Sequence, residues 1–415
     1  MKRKETVKDM EKKVLLIIGF VWPEPNSSAA GYRMLQLIKA FNQMGFNIHF
    51  ASPNMKTEYA FNLQSLQVET HHIEVNHSNF DAWVKALSPN VVMFDRFIME
   101  EQFGWRIAEF CPKAIRVLDT EDLHCLRKVR AHCVKKKIEF SEQLLLESDV
   151  TKREIASISR SHLSLMISTF EMKLLENTFQ ISKNQLLYFP FISDCKIPEA
   201  PAFNEREHFM TIGSFRHQPN VDSVLFLKQK IWPKIRIKLP EAEIHIYGSY
   251  PKQQVTELHD PKTGFIVKGW AKDAHYVIRK SRVLLAPLRY GAGIKGKFFD
   301  ALMCKTPSIT TSVGAEGMPN EKNWLGIISD DVDDIVEQAV KLYSNENMWN
   351  RFSSKADDII SQNFDSNLFI PNLEEALRNS EKQSFSFQQT MLNFHSFKNS
   401  KYMSKWIEEK SKGMI

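Results

Sequence analysis

Residues 14–20 form a continuous apolar run rich in β-branched side chains, closed by Pro23, Pro25 and Asn26. A run with no polar alternation suits a strand covered on both faces, as in a parallel sheet flanked by helices. Gly31 then precedes Met34, Leu35, Leu37, Ile38 and Phe41 at helical spacing, and Gly45 closes that helix before a second run at 47–51. Further short runs at 91–94 after Pro89, at 114–118 after Pro112 and at 163–167 are separated by helical stretches. The first half of the chain therefore predicts a doubly wound α/β sheet.

Pro190, Pro198 and Pro201, with few periodic apolar residues between them, mark a linker. Beyond it, runs at 208–212, 242–247, 264–267, 283–286 and 308–311 each leave into a Gly-, Ser- or Pro-containing loop, which predicts a second parallel sheet with ligands at its strand ends. The expected division is an N-terminal tail at 1–12, a first Rossmann-like domain at 13–190, a linker at 191–206 and a second Rossmann-like domain at 207–365. One short helix, Pro371 to Leu377 within 366–380, would cross back to the first domain, and 381–415 would form a tail. No internal repeat is visible.

A length of 415 residues exceeds what one core usually fills, and 43% apolar with 25% charged residues excludes a disordered or fibrous chain. The net charge of +6 would suit phosphorylated ligands or an anionic membrane, and a mildly basic solvated surface explains it equally well. The five cysteines, Cys111, Cys125, Cys133, Cys195 and Cys304, have no closely spaced framework, so no disulfide and a reducing compartment are expected. The basic start followed by residues 14–22 imitates a secretory leader, but Glu5, Asp9 and Glu11 interrupt the basic stretch and the apolar run is short. No run reaches the roughly 18 apolar residues a membrane span needs. A cytoplasmic protein is expected, with peripheral contact at the inner membrane face left open.

Three segments carry chemistry. Ser27-Ser28-Ala29-Ala30-Gly31 leads into a helix and could bring amides and a helix N-terminus to a diphosphate, although ordinary strand–helix packing uses the same residues. Gly213-Ser214-Phe215-Arg216-His217-Gln218-Pro219-Asn220 follows the first strand of the second half. Residues 286–300 place Gly291, Gly293 and Gly296 with Lys295 and Lys297 between a buried strand and a helix. Glycines let the backbone approach phosphates, and the lysines can neutralise a leaving diphosphate. Asp300, one turn further on, is either a ribose-binding carboxylate or a helix-surface acid.

In order and spacing, these segments resemble the retaining GT-B glycosyltransferases of the family 4, or group 1, type, across most of residues 13–365. The resemblance implies two Rossmann-like domains facing a central cleft, a nucleotide-sugar donor, and a saccharide or lipid-linked acceptor. It also implies retention at the anomeric carbon without a metal or cofactor, and no nucleic-acid partner. Arg216 would clamp the diphosphate, Asp300 would hold the ribose hydroxyls, and Gly31, Gly291, Gly293, Lys295 and Lys297 would line the donor site. His124, in Asp119-Thr120-Glu121-Asp122-Leu123-His124, resembles the family histidine beside the donor sugar, and would orient rather than act as a strong base. Helix capping by the same polar cluster is an equal alternative.

Two departures from the family pattern stand out. Many members carry two glutamates separated by seven residues in the glycine-rich segment; here only Asp300 matches the second, and no acid occupies the first position. The lysine expected about five residues after Arg216 is replaced by Val221 or Asp222. A nucleotide-sugar epimerase or hydrolase on the same fold, or a non-catalytic partner-binding module, are the rival readings. Asp331-Val332-Asp333 imitates a metal-binding triplet but reads as a helix start before Ile335 and Val336. His124-Cys125 and His132-Cys133 match no zinc spacing, and His71, His72 and His77 read as surface or core histidines. The aromatic, lysine-rich tail could lie on a membrane; a helix packed across the first domain with a frayed end is the preferred reading.

Overall fold

The computed structural model describes residues 12–194, 199–318 and 324–412. The first strands are β1 (Val14–Ile18), β2 (Asn47–Ser52), β3 (Glu69–His72), β4 (Val91–Asp95), β5 (Ile115–Asp119), β6 (Leu163–Met166) and β7 (Leu186–Tyr188). They form one parallel sheet in the order β3-β2-β1-β4-β5-β6-β7. Strands β8 (Glu207–Ile212), β9 (Ile244–Tyr247), β10 (Phe265–Gly269), β11 (Ser281–Ala286), β12 (Ser308–Thr310) and β13 (Gly326–Ile328) form a second parallel sheet, ordered β10-β9-β8-β11-β12-β13. The chain forms the two Rossmann-like units of a GT-B fold.

The unalternating runs are explained by burial on both faces. In β1, Leu16 and Ile18 join one apolar cluster with Phe94 and Leu118, while Leu15 and Ile17 join another with Phe41 and Phe50. Three strands were missed in the sequence. The Glu-Thr-His-His of β3 is an edge strand with exposed positions, and β7 and β13 are only three residues long, shorter than the runs by which strands are read.

After β13 the chain returns to the first sheet. Ser193 and Asp365 pair as an isolated bridge, so the two crossings lie side by side. The helix Ser366–Lys382 then buries Phe369, Ile370, Leu373 and Leu377 on the Leu15 and Ile17 face. It is longer than the short helix the sequence predicts, and Pro371 lies inside it.

Residues 387–412 differ most from expectation. They form a single helix, Phe387–Lys412, packed on helices Arg96–Phe110 and Asp149–Arg160 of the first unit. The expected packing across that unit is present, but the described residues hold their helix to Lys412 instead of fraying. Asp331 caps the helix Val332–Ser344 by accepting the Asp334 N–H at 2.8 Å, so the acidic triplet is spent on a helix start. Cys111, Cys125, Cys133 and Cys304 are free and buried, whereas Cys195 and Pro198 lie outside the described residues, as do 1–11 of the tail.

Candidate active site

Both sheets reverse strand order between neighbours, at β1/β4 and at β8/β11, and in such sheets ligands bind at the carboxyl ends of the strands beside the reversal. The candidate residues collect there. Gly213 follows β8, and a Cβ on it would lie 2.5 Å from Asn220 Nδ2, so glycine is what lets Asn220 fold back over the strand end. Asn220 Nδ2 donates to the Ser214 carbonyl at 2.9 Å, leaving Oδ1 to accept from Lys297 Nζ, also at 2.9 Å. Two of the three sequence segments are thereby joined by one side chain.

The two loop lysines part company. Lys297 has no carboxylate to offset its burial, which pulls its pKa down to about 7. Lys295 turns back, donating to the Gly293 carbonyl at 2.8 Å, with the Glu316 and Glu171 carboxylates nearby and its pKa lowered by burial. Lys297 is a cation held without a counter-charge, whereas Lys295 already has anions beside it. That distinction follows from tertiary packing, since the two stand two residues apart in sequence.

A Cβ on Gly296 would lie 2.5 Å from Ala29 Cβ, so the helices Ala29–Gln43 and Gly296–Met303 start against each other. Two positive dipole ends then converge on one place, an arrangement that favours an anion. Gly31 serves this indirectly. Its N–H is taken by the capping Ser28 Oγ at 3.1 Å, and a Cβ there would meet the Glu24 backbone at 2.4 Å. The residue permits close packing of the preceding loop, and its own amide is already occupied.

Asp300 Oδ1 lies 3.1 Å from His275 Nε2, and this hydrogen bond raises the histidine pKa despite burial. Arg216 is exposed, with its guanidinium 3.4 Å from the centre of the Tyr250 ring. The Tyr250 hydroxyl in turn reaches the Glu24 carboxylate of the first unit at 2.8 Å. At the position where a lysine was expected, Asp222 instead holds Arg289 Nε at 2.9 Å.

Across the cleft, His124 begins the helix His124–Lys136, with Nε2 3.4 Å from Asp122 Oδ1 and its ring edge-on to Phe97. Burial pushes its pKa down to about 3, so the imidazole is neutral. Burial would raise the Asp122 pKa, but the Arg127 guanidinium, with Nε at 2.7 Å, outweighs it and holds the carboxylate ionised. Glu171 Oε1 accepts from the Leu123 N–H at 3.0 Å and from the Gly293 N–H at 2.7 Å, bridging the units. Arg130 forks onto Glu316 at 2.7 and 2.8 Å and also donates to the Gly291 carbonyl. His275, Tyr250, Glu171 and the Arg130–Glu316 pair had no sequence signal, because each acts through a partner more than 20 residues away.

Among the described residues, His49, Glu69 and His71, and separately His208, Glu243 and His245, lie close enough to share a metal ion. Neither group includes a candidate donor residue. No helix among the described residues is long and apolar enough to cross a membrane.

Residues 206–345 match the family model described as "Glycosyl transferases group 1". No curated protein sequence matches the chain. Among solved structures, a variant of S. aureus TarM in complex with fondaparinux, α-GlcNAc-glycerol and UDP is similar at a TM-score of 0.68 and 10% identity, covering 90% of this chain and 100% of TarM. Anabaena HepE in complex with UDP and glucose gives 0.66 at 12% identity, covering 89% and 100%. Sucrose-phosphate synthase from Thermosynechococcus elongatus gives 0.64 at 13% identity, covering 89% and 99%. At these identities the structural likeness speaks for the fold.

Proposed function

We propose that this chain, whose residues 206–345 match the group 1 glycosyl transferase model and whose fold is GT-B, transfers a sugar from a nucleotide-sugar donor to a glycan or lipid-linked saccharide acceptor. The anomeric configuration is retained and no metal takes part. The observation that carries the reading is Lys297, a buried cation without a carboxylate partner where two helix N-termini converge. A buried charge without a counter-ion is costly, and a donor diphosphate supplies one.

In this mechanism the bond between the anomeric carbon and the diphosphate oxygen breaks while negative charge grows on the leaving nucleoside diphosphate. Lys297, Arg216 and the helix starts at Ala29 and Gly296 stabilise that charge, and such preorganised donors usually supply the largest part of a rate enhancement. Asp300 accepts from the ribose hydroxyls, with His275 orienting it. The departing phosphate oxygen takes the acceptor proton. His124, neutral because of its burial, hydrogen-bonds the sugar rather than removing a proton. Closure of the cleft, as in the contacts of Arg130 and Glu171 with the glycine-rich loop, keeps water from the reacting carbon.

UDP in the TarM and HepE complexes makes uridine the first donor base to try. Thermal stabilisation by UDP-, GDP- and ADP-sugars, followed by product analysis in EDTA, tests the reading. It expects one donor class to raise the melting temperature and to form an acceptor-dependent α- or β-glycoside matching the donor. Absence of stabilisation by every nucleoside diphosphate would favour a non-catalytic module, and acceptor-independent release of free sugar would favour a hydrolase.

A further inference from the structure

The helix Phe387–Lys412 has two sides with different fates. Its inner side is fixed by specific contacts. Glu408 accepts from the Ser78 N–H at 3.0 Å and from Ser78 Oγ at 2.6 Å, and Ser404 Oγ accepts from Arg106 Nη2 at 3.0 Å. Lys401 reaches Glu109 at 2.6 Å, and the Phe397 ring takes the Arg116 and Arg160 guanidinium groups at 5.5 and 5.6 Å.

The outer side is uncovered. Phe387, Met391, Phe394, Lys398, Tyr402 and Lys405 recur at spacings of three and four, which puts them on one stripe of the helix. Phe387 is 76% exposed, Tyr402 65% and the neighbouring Trp406 59%. An outward helix face on a water-soluble surface is normally polar. Here aromatics alternate with cations instead: Lys398 Nζ lies 3.8 Å from the centre of the Phe394 ring, and Lys410 Nζ 5.1 Å from that of Trp406. The single acid on this side, Glu409, is already held by Lys412 at 2.7 Å.

We propose that the outer face of helix Phe387–Lys412 docks on an anionic phospholipid bilayer, lying in the membrane plane. Aromatic bodies at the headgroup–acyl boundary, with lysines reaching phosphates, are what such a surface selects. A second copy of the chain fits less well. A two-fold contact through this stripe would set Lys398 and Lys405 against a second set of the same lysines, and like charges across an interface disfavour pairing. The placement also has a use. The helix packs on the first unit, through helices Arg96–Phe110 and Asp149–Arg160 and through Ser78. The bilayer would thus lie beside the unit expected to receive the acceptor, and the inference deepens the lipid-linked part of the proposed function.

The test is co-sedimentation of the full chain with phosphatidylglycerol-containing and pure phosphatidylcholine vesicles. At least ten-fold stronger partition onto the anionic vesicles is expected, falling in 0.5 M salt. The triple variant Phe387→Ser, Phe394→Ser, Trp406→Ser, with its melting temperature unchanged, should lose partition at least ten-fold, and Lys398→Glu with Lys405→Glu should remove the anionic preference. Equal partition of wild type and triple variant, or no partition of wild type at low salt, overturns the proposal. A wild-type dimer in light scattering that the triple variant converts to monomer, without vesicle binding, overturns it in favour of a second copy. Donor-dependent release of nucleoside diphosphate in all these variants separates this outcome from failure of the proposed activity.

Discussion

Lys297 illustrates how a charge proposed to meet the donor burdens the fold that carries it. Its pKa, pulled from 10.5 to about 7 by burial, means that the folded protein holds this proton less tightly than the unfolded chain. Stability is therefore lowest below about pH 7 and rises as pH climbs towards the ordinary lysine value. Lys297→Met should raise the melting temperature of the ligand-free protein at pH 6 by about 3 °C, a gain that shrinks by pH 10. The same variant should lower donor turnover by about 10²–10³-fold, since one preorganised charge on a leaving group is worth that much. In wild type, donor KM should rise above pH 7 as the unoccupied lysine loses its proton, and the variant should show no such rise. A Lys297→Met protein that melts lower than wild type at pH 6 would mean that the lysine is structurally satisfied.

At the scale of an element, the glycine-rich loop depends on backbone conformation more than on its side chains. Gly293 has φ +62°, and a Cβ there would lie 2.8 Å from Asp122 Cβ. Gly293→Ala should cost about 1–3 kcal/mol of stability through the left-handed backbone and the crowding of the Asp122 segment, read by chemical denaturation. It should also raise donor KM, because Lys297 and Asp300 are positioned by the same loop. Glu171 makes the loop a shared element, its Oε1 accepting N–H groups from both units, and burial raises its pKa with Asp122 adding to the effect. Glu171→Ala should leave two buried N–H groups without that acceptor, a loss of about 1–3 kcal/mol visible in the same denaturation experiment.

For the whole molecule, polar contacts join the units beside an apolar one in which Ile167 enters the second unit's core cluster. Arg130 with Glu316, Tyr250 with Glu24, Trp270 Nε1 with the Asn26 carbonyl at 2.9 Å and Ser249 Oγ with the Ser27 carbonyl at 3.1 Å lie across the cleft. Interfaces of this polar kind between domains are the ones that open. Arg130→Met should shift the ligand-free protein towards a larger radius of gyration in small-angle scattering, and donor should reverse the shift. A radius unchanged in both states would show that the units do not separate.

The alternation of unbroken apolar runs, loops and helical repeats determined the two parallel sheets, because a strand buried on both faces has to be apolar throughout. It also singled out the loop proposed to bind the donor, since glycines and lysines between a strand and a helix have local chemical consequences. The edge strand Glu69–His72 stayed hidden because an exposed edge needs no apolar run; a helix in the tail was expected, but its reach to Lys412 was not, because its buried positions there, Ser404 and Glu408, are polar and give no apolar period. Only the tertiary structure decided which lysine stands without a counter-charge, that the Gly31 amide is already spent on a cap, and that Asp300 has a histidine beside it. Burial and charge pairing are properties of what the fold brings alongside a residue, and sequence neighbours do not report them.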